Sequence, residues 1–316
     1  MKENKNQSRY ITACLATAPR ISNYLLKLPQ NISDSVQEIR LRLNRPVTIN
    51  CSDKAYFITE NGCFTNSQNA QPLLTATQSD IHDTFQSVCN YSVYSRQNEI
   101  NNGYITIQGG HRAGICGTAV VADGQIINIR DISTISIRIA REIIGCSAPL
   151  LQQTGTDFNG LLICGPPCSG KTTVLRDIAR VLSLANNCKV AVIDSRGEIA
   201  GTSNAVFQND IGMCDILDCY PRDKGITHAI RSLSPDYIIC DEIGSEEDVK
   251  AIEQSVNSGV KIIATVHASS PQELIKKQYG KALLQTGAFE KIAFLYSREK
   301  AGAVKAVLTC EEVLNA

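Results

Sequence analysis

Leu161-Leu-Ile-Cys-Gly-Pro-Pro-Cys-Ser-Gly-Lys-Thr-Thr173 is the stretch that decides the fold class. Its four leading apolar residues read as a buried strand. Gly165, Pro166, Pro167, Cys168, Ser169, Gly170, Lys171, Thr172 and Thr173 then follow the spacing G-x-x-x-x-G-K-T of a phosphate-binding loop. Glycines at both ends let the backbone curl so that its N–H groups face an anion. Lys171 brings positive charge to the outer phosphates, and the Thr172 hydroxyl is a ligand for Mg²⁺. Beyond the loop, Val174, Leu175, Ile178, Val181 and Leu182 share one face at helical spacing. Strand, loop and amphipathic helix thus come in the order such a loop requires.

Three more apolar runs in this half end in a polar residue. Lys189–Ile193 leads into Asp194, Tyr237–Cys240 into Asp241 and Glu242, and Val260–Val266 into His267. Helix-sized segments separate them, which predicts an α/β domain with a mostly parallel sheet and helices on both faces. Ligands of such sheets sit beyond the carboxyl ends of the strands, where all these polar groups fall. The expected ligands are therefore a nucleoside triphosphate, ATP or GTP, and Mg²⁺. Thr172 and Asp241 are the metal-site candidates, and Glu242 is the general base that polarises an attacking water. His267 is placed to bond the γ-phosphate or sense its loss, and Glu198, in Asp194-Ser-Arg-Gly-Glu198, to orient water or reach the second shell of the metal. Ser245-Glu-Glu-Asp248 reads as a helix-capping box, which is architecture rather than chemistry.

The preceding half is α+β. A helical stretch from Ile11 to Leu28 is closed by Pro29, and Ile39, Leu41 and Leu43 alternate with Arg40 and Arg42 as a strand with one buried face. Short strands are expected at Val47–Asn50 and Ala55–Thr59, followed by a helix over Ser79–Cys89. Further strands fall at Tyr104–Ile107, Gly114–Val121, Gln125–Ile129 and Ile135–Ile139, with Asp123-Gly124 as a hairpin turn. The domain boundaries that result are 1–141, with an ordered core at about 30–140, a connecting helix and loop at 142–159, and the nucleotide domain at 160–316.

Composition narrows the function classes. At 316 residues the chain suits two domains. Lys and Arg number 31 and Asp and Glu 31, so overall charge gives no support for broad nucleic-acid or membrane-surface binding. Thirteen scattered cysteines, with no C-x-x-C pair and no histidine partner at zinc spacing, read as reduced small apolar residues of a cytoplasmic protein. Neither a signal peptide nor a run of about 18 apolar residues is present, so secretion and membrane spanning are not expected.

Leu233-Ser-Pro-Asp-Tyr-Ile-Ile-Cys-Asp-Glu-Ile-Gly244 and Val256-Asn-Ser-Gly-Val-Lys-Ile-Ile-Ala-Thr-Val-His267 resemble the Walker B and histidine boxes of type II and type IV secretion ATPases. Within that superfamily, several segments resemble the stage III sporulation protein AA family. They include Glu38-Ile-Arg-Leu-Arg42, Gly109-Gly-His-Arg-Ala-Gly114, Ile193-Asp-Ser-Arg-Gly-Glu-Ile-Ala-Gly201 and Gln208-Asn-Asp-Ile-Gly212. The resemblance implies a RecA-like P-loop ATPase domain behind a smaller N-terminal domain, assembled as a hexameric ring with nucleotide between neighbours. It also implies a task, powering the channel between mother cell and forespore from the mother-cell cytoplasm, at the inner membrane face, through membrane proteins of that channel. No direct nucleic-acid partner is expected.

A ring gives N-terminal arginines a role, because a transferring phosphoryl group needs positive charge that a neighbour can supply. Arg130 and Arg141 are the candidates. Ser195 stands where the family usually has Glu, and Gly197 where it has Ser, so the acidic box has lost one carboxylate. The alternatives are a motor of a type II secretion or type IV pilus system and a slow nucleotide-binding scaffold of the channel.

Overall fold

The computed structural model describes residues 5–51, 54–69, 72–185, 188–202 and 206–316. The chain divides into two compact units, Met1–Arg141 with Gly201–Gln208, and Glu142–Ala200 with Asn209–Ala316. No helix among the described residues is long and apolar enough to cross a membrane.

The first unit is built on an antiparallel sheet. Its strands are β1 (Val36–Arg42), β2 (Thr48–Cys51), β3 (Ala55–Ile58), β4 (Phe64–Thr65), β5 (Tyr104–Ile107), β6 (His111–Ala122) and β7 (Gln125–Arg138), ordered β4-β3-β2-β1-β7-β6-β5. Alternation in β1 does what its pattern requires. Ile39 and Leu41 pair with Ile137 and Ile135 of β7 and are fully buried, together with Ile21, Leu25, Ile81 and Val88 of the helices that cover this face. On the other face Arg40 donates to the Glu38 carboxylate and Arg42 to the Thr48 hydroxyl.

Two expectations change here. The helix expected over Ile11–Leu28 is two helices, Lys5–Leu15 and Pro19–Leu25. Pro19 has no N–H for a continuing helix but suits a first turn, so it ends one helix and starts the next. The strands expected at Gln125–Ile129 and Ile135–Ile139 are one continuous β7, which with β6 forms a long hairpin. At its turn Asp123 and Gly124 both take positive φ, 52° and 74°, as a type I′ turn needs.

His111 is fully buried at the start of β6, where its Nδ1 accepts a hydrogen bond from the Ala140 N–H at 3.1 Å. Gly109 leaves room for the ring, since a Cβ there would lie 2.5 Å from Nε2. Burial, aided by the Arg9 charge, lowers the imidazole pKa to about 4.

The second unit carries the expected α/β sheet. Its strands are β8 (Leu161–Gly165), β9 (Val190–Asp194), β10 (Asp215–Asp218), β11 (Tyr237–Cys240), β12 (Lys261–His267), β13 (Lys291–Leu295) and β14 (Val304–Thr309), ordered β10-β9-β11-β12-β8-β13-β14. Pairing is parallel from β10 through β13, and β14 closes the edge antiparallel to β13. Strand β8 is buried along its whole length because both faces are covered. Leu162 and Cys164 join one apolar cluster, while Leu161 and Ile163 join another. The helix Lys171–Ala185 contributes Val174, Leu175, Ile178, Ala179 and Leu182 to the second cluster, and Val181 is only half-buried. Within residues 142–159, a helix spans Ala148–Thr154. The Asp177 carboxylate anchors the segment leading into it, accepting from the Gly145 N–H at 3.0 Å and from the Ser147 N–H and hydroxyl at 2.9 and 2.6 Å.

The His111 environment yields a test. The unfolded imidazole titrates near 6.5 and the folded one near 4, so the unfolded state binds the extra proton between these values. The contribution is full above about pH 6.5 and falls by about 3 kcal/mol as pH drops to 4. Denaturant melts across that range should show this slope, and His111→Gln should flatten it.

Candidate functional site

Strand register assembles the site. His267 of β12 lies opposite Gly165 of β8, and Cys240 of β11 lies opposite Ala264 of β12, so Asp241 falls beside Thr265. In the loop after β8, Cys168 takes φ +61° and Gly170 φ +88°. Gly170 must lack a side chain, because a Cβ would sit 2.8 Å from the Gly302 amide nitrogen, whose N–H donates to the Ser169 carbonyl at 2.8 Å. The turn between β13 and β14 thus braces the phosphate-binding loop. The helix begins at Lys171, which turns its unsatisfied N-terminal amides toward the loop.

Lys171 is nearly buried. Its Nζ donates to the Gly165 carbonyl at 2.9 Å and the Pro166 carbonyl at 3.0 Å, and lies 3.0 Å from His267 Nδ1. Burial lowers the pKa of both groups, and the Lys171 charge lowers that of His267 further. A neutral His267 then accepts from Lys171 through Nδ1 and donates through Nε2 to Glu242 Oε1 at 2.6 Å. The other Glu242 oxygen is paired with the Arg196 guanidinium. The result is a continuous polar line of Lys171, His267, Glu242 and Arg196.

Glu242 follows β11 with φ +59°, a left-handed conformation that a non-glycine residue adopts only under outside constraint. Thr265 supplies that constraint. Its buried hydroxyl accepts from the Glu242 N–H at 2.8 Å and donates to Asp241 Oδ1. Asp241 Oδ2 accepts from the Thr172 hydroxyl at 2.5 Å. One carboxylate thereby joins the helix start to β12.

In the acidic box the aspartate is structural. Asp194 is almost fully buried and accepts from the Glu198, Ile199 and Ala200 N–H groups at 2.9, 3.0 and 2.8 Å. Burial nonetheless raises its pKa. Arg176, from the helix after the loop, donates to the Ile199 and Glu198 carbonyls at 2.8 and 2.6 Å. The backbone is therefore held on both sides of Arg196, with Gly197 at φ +65° completing the turn. Arg222 ties this loop to the one after β11, donating to the Ser195 hydroxyl at 3.3 Å and to Asp248 at 3.2 Å. Asp248 also accepts from the Gly244 and Ser245 N–H groups at 3.1 and 3.2 Å, so the capping box at Ser245 braces the site as well as its helix.

These groups line a cavity of about 450 Å³ that includes Cys168, Lys171, Thr172, Arg196, Glu198, Asp241, Glu242 and His267. Two larger depressions lie elsewhere on this unit. One, of about 650 Å³, is a groove between the helices Arg222–Leu233 and Glu246–Asn257, and one, of about 770 Å³, lies at the amino ends of β11 and β12. Neither sits at the carboxyl ends of the parallel strands.

Arg130 and Arg141 are not part of this cavity and belong to the first unit. Arg130 is exposed beside Asp131 on β7, and Arg141 donates to the Asp34 and Val36 carbonyls at 2.8 and 3.1 Å. Sequence reasoning gave no role to Arg196 or Thr265. A lone hydroxyl at the end of an otherwise apolar strand was the available signal for Thr265, whereas the position of Arg196 depends on a turn that spacing does not reveal.

The donor set fits a magnesium nucleotide. Thr172 and Asp241 offer two hard oxygen ligands, and no cluster of three acidic, histidine or cysteine side chains able to hold a metal occurs among the described residues. Mg²⁺ keeps waters and takes phosphate oxygens, so a two-oxygen protein site is what it needs.

Residues 5–312 match the family model described as Sporulation stage III, protein AA. Stage III sporulation protein AA of Bacillus subtilis (strain 168) is 33% identical over 293 residues, which is 91% of this chain and 91% of that protein. Among solved structures, the Legionella pneumophila ATPase DotB is similar with a TM-score of 0.52 at 14% identity, covering 82% of this chain and 72% of that one. The pilus retraction motor PilT with bound ADP gives 0.54 at 14% identity, covering 82% and 74%. At that identity the likeness shows that the fold is shared with these two proteins.

Asp194 and Glu198 should separate on mutation. Asp194→Ala strands three buried amides and should cost about 2–4 kcal/mol in denaturant melts. Glu198→Gln leaves those three amide bonds in place and should cost less in the same melts.

Proposed function

The chain belongs to the sporulation stage III, protein AA family, and from that premise we propose that it is an ATP-hydrolysing ring motor that powers or assembles the channel between mother cell and forespore. The observation that carries the reading is the convergence of Lys171, Thr172, Asp241, Glu242 and His267 on one cavity at the carboxyl ends of parallel strands. The ADP held by the similarly folded PilT favours nucleotide as its ligand.

In this reading the Gly165–Thr173 loop wraps the phosphates with backbone N–H groups, and Lys171 turns from the Gly165 and Pro166 carbonyls to the β- and γ-phosphates. Thr172 and Asp241 hold Mg²⁺, which neutralises phosphate charge when bound. Glu242 takes a proton from the water that attacks the γ-phosphorus, and the bond to the β-phosphate oxygen breaks to leave ADP and phosphate. His267, neutral, reports the γ-phosphate to Glu242 through its two ring nitrogens. Glu198 orients the water or the outer shell of the metal.

Copies assemble as a hexameric ring with nucleotide between neighbours, working in the mother-cell cytoplasm against membrane proteins of the channel. Of the two N-terminal arginines, exposed Arg130 is the better candidate to reach a neighbour's phosphate, because Arg141 is engaged by two carbonyls of its own unit.

Mg²⁺-dependent phosphate release tests the reading. Lys171→Ala should abolish both nucleotide binding and turnover. Glu242→Gln should retain ATP while turnover falls by about 10²–10⁴-fold. Turnover unchanged in Glu242→Gln would remove the assigned base. Specific activity should rise with protein concentration as rings form, and a monomer with constant specific activity would contradict shared sites.

A further inference from the structure

We infer that Arg196 is the γ-phosphate sensor of this site, a guanidinium that leaves Glu242 for the terminal phosphate of a bound nucleoside triphosphate and so releases Glu242 to act as base. The inference rests on the reading of the cavity as an ATP site and adds a recognition residue within the same unit.

The first support is placement. Arg196 occupies the tip of a turn whose backbone is fixed by the Asp194 carboxylate, through the Glu198, Ile199 and Ala200 amides, and by Arg176. The braces from Arg222 to Ser195 and Asp248 hold this turn at a set distance from the loop that carries Glu242. The backbone is therefore preorganised, while the Arg196 side chain is half exposed and can rotate at little desolvation cost.

The second support is charge balance in the cavity. Lys171 and Arg196 are cations, His267 is neutral, and of the three carboxylates that line the cavity, Glu198, Asp241 and Glu242, it is Glu242 that Arg196 contacts. With both its oxygens engaged, one by His267 and one by Arg196, Glu242 is poorly placed to accept a proton from water. A terminal phosphate offers more negative charge and three acceptor oxygens, matched to the planar fork of an arginine, so it competes for Arg196 better than a single carboxylate does. ADP ends one phosphate short of that position and leaves the Arg196–Glu242 pair intact. Discrimination between the two nucleotides and release of the base then become one event, in which the correct substrate completes the catalytic arrangement.

The test uses the full chain with Mg²⁺, and compares ADP with a non-hydrolysable ATP analogue by calorimetry beside phosphate release. Arg196→Ala should bind ADP within about 2-fold of the parent, which also reports an intact fold. It should bind the analogue about 10–30-fold more weakly and turn over ATP about 10²–10³-fold more slowly. Arg196→Lys, which keeps the charge without the fork, should fall between. Glu242→Gln should tighten analogue binding several-fold, since no ion pair has to open, and this gain should vanish in the double variant Arg196→Ala with Glu242→Gln. An unchanged preference for the analogue over ADP in Arg196→Ala would overturn the inference while leaving the ATP site standing. Turnover at or above the parent rate would do the same. A parent chain that binds neither nucleotide would overturn both.

Discussion

Parallel register between β8, β12 and β11 is the constraint on which the site depends. Once His267 lies opposite Gly165 and Asp241 beside Thr265, the loop lysine, the histidine and the two acidic residues have no freedom to be far apart. The register is itself set by burial. Strands β8, β9 and β11 are apolar on both faces and covered on both, and their carboxyl ends come level where the apolar runs stop and polar residues begin.

What register brings together, a few buried polar groups hold in place. Asp194 spends its carboxylate on three backbone amides, Thr265 spends one hydroxyl on both acidic residues of the β11 end, and Asp248 gathers Arg222 with two more amides. Each of these is a buried, hydrogen-bonded group, and removing any one leaves orphaned donors rather than a simple gap. In the proposed reading the elements that move are side chains that face the cavity, Lys171, Arg196 and Glu242. A fixed frame with movable charges suits a site that must tell one phosphate more from one fewer.

Much of this was legible in the sequence for a physical reason: the four strand ends of the nucleotide unit couple a long apolar run to a chemically distinctive residue. Strands β10, β13 and β14 were not read. β10 is four residues that begin and end in aspartate at a sheet edge, β14 has no buried residue, and β13 lies far from any polar signature. The break at Pro19 was hidden because apolar residues continue at helical spacing on both sides of it. Arg196 stood in view within the acidic box, but its role follows from a turn pinned by Asp194, a contact of four to six residues' separation that composition and periodicity do not encode. For Arg141 the reverse holds. Ring assembly made it a candidate to reach a neighbour's phosphate, and its guanidinium is engaged by the Asp34 and Val36 carbonyls.

The most direct test is a structure of the Glu242→Gln chain with ATP and Mg²⁺. The account predicts the terminal phosphate between Lys171 and Arg196, the metal on Thr172 and Asp241, and the Arg196 side chain turned away from position 242. Nucleotide bound elsewhere than the Gly165–Thr173 loop, or Arg196 still resting on residue 242 with a triphosphate in place, would contradict it.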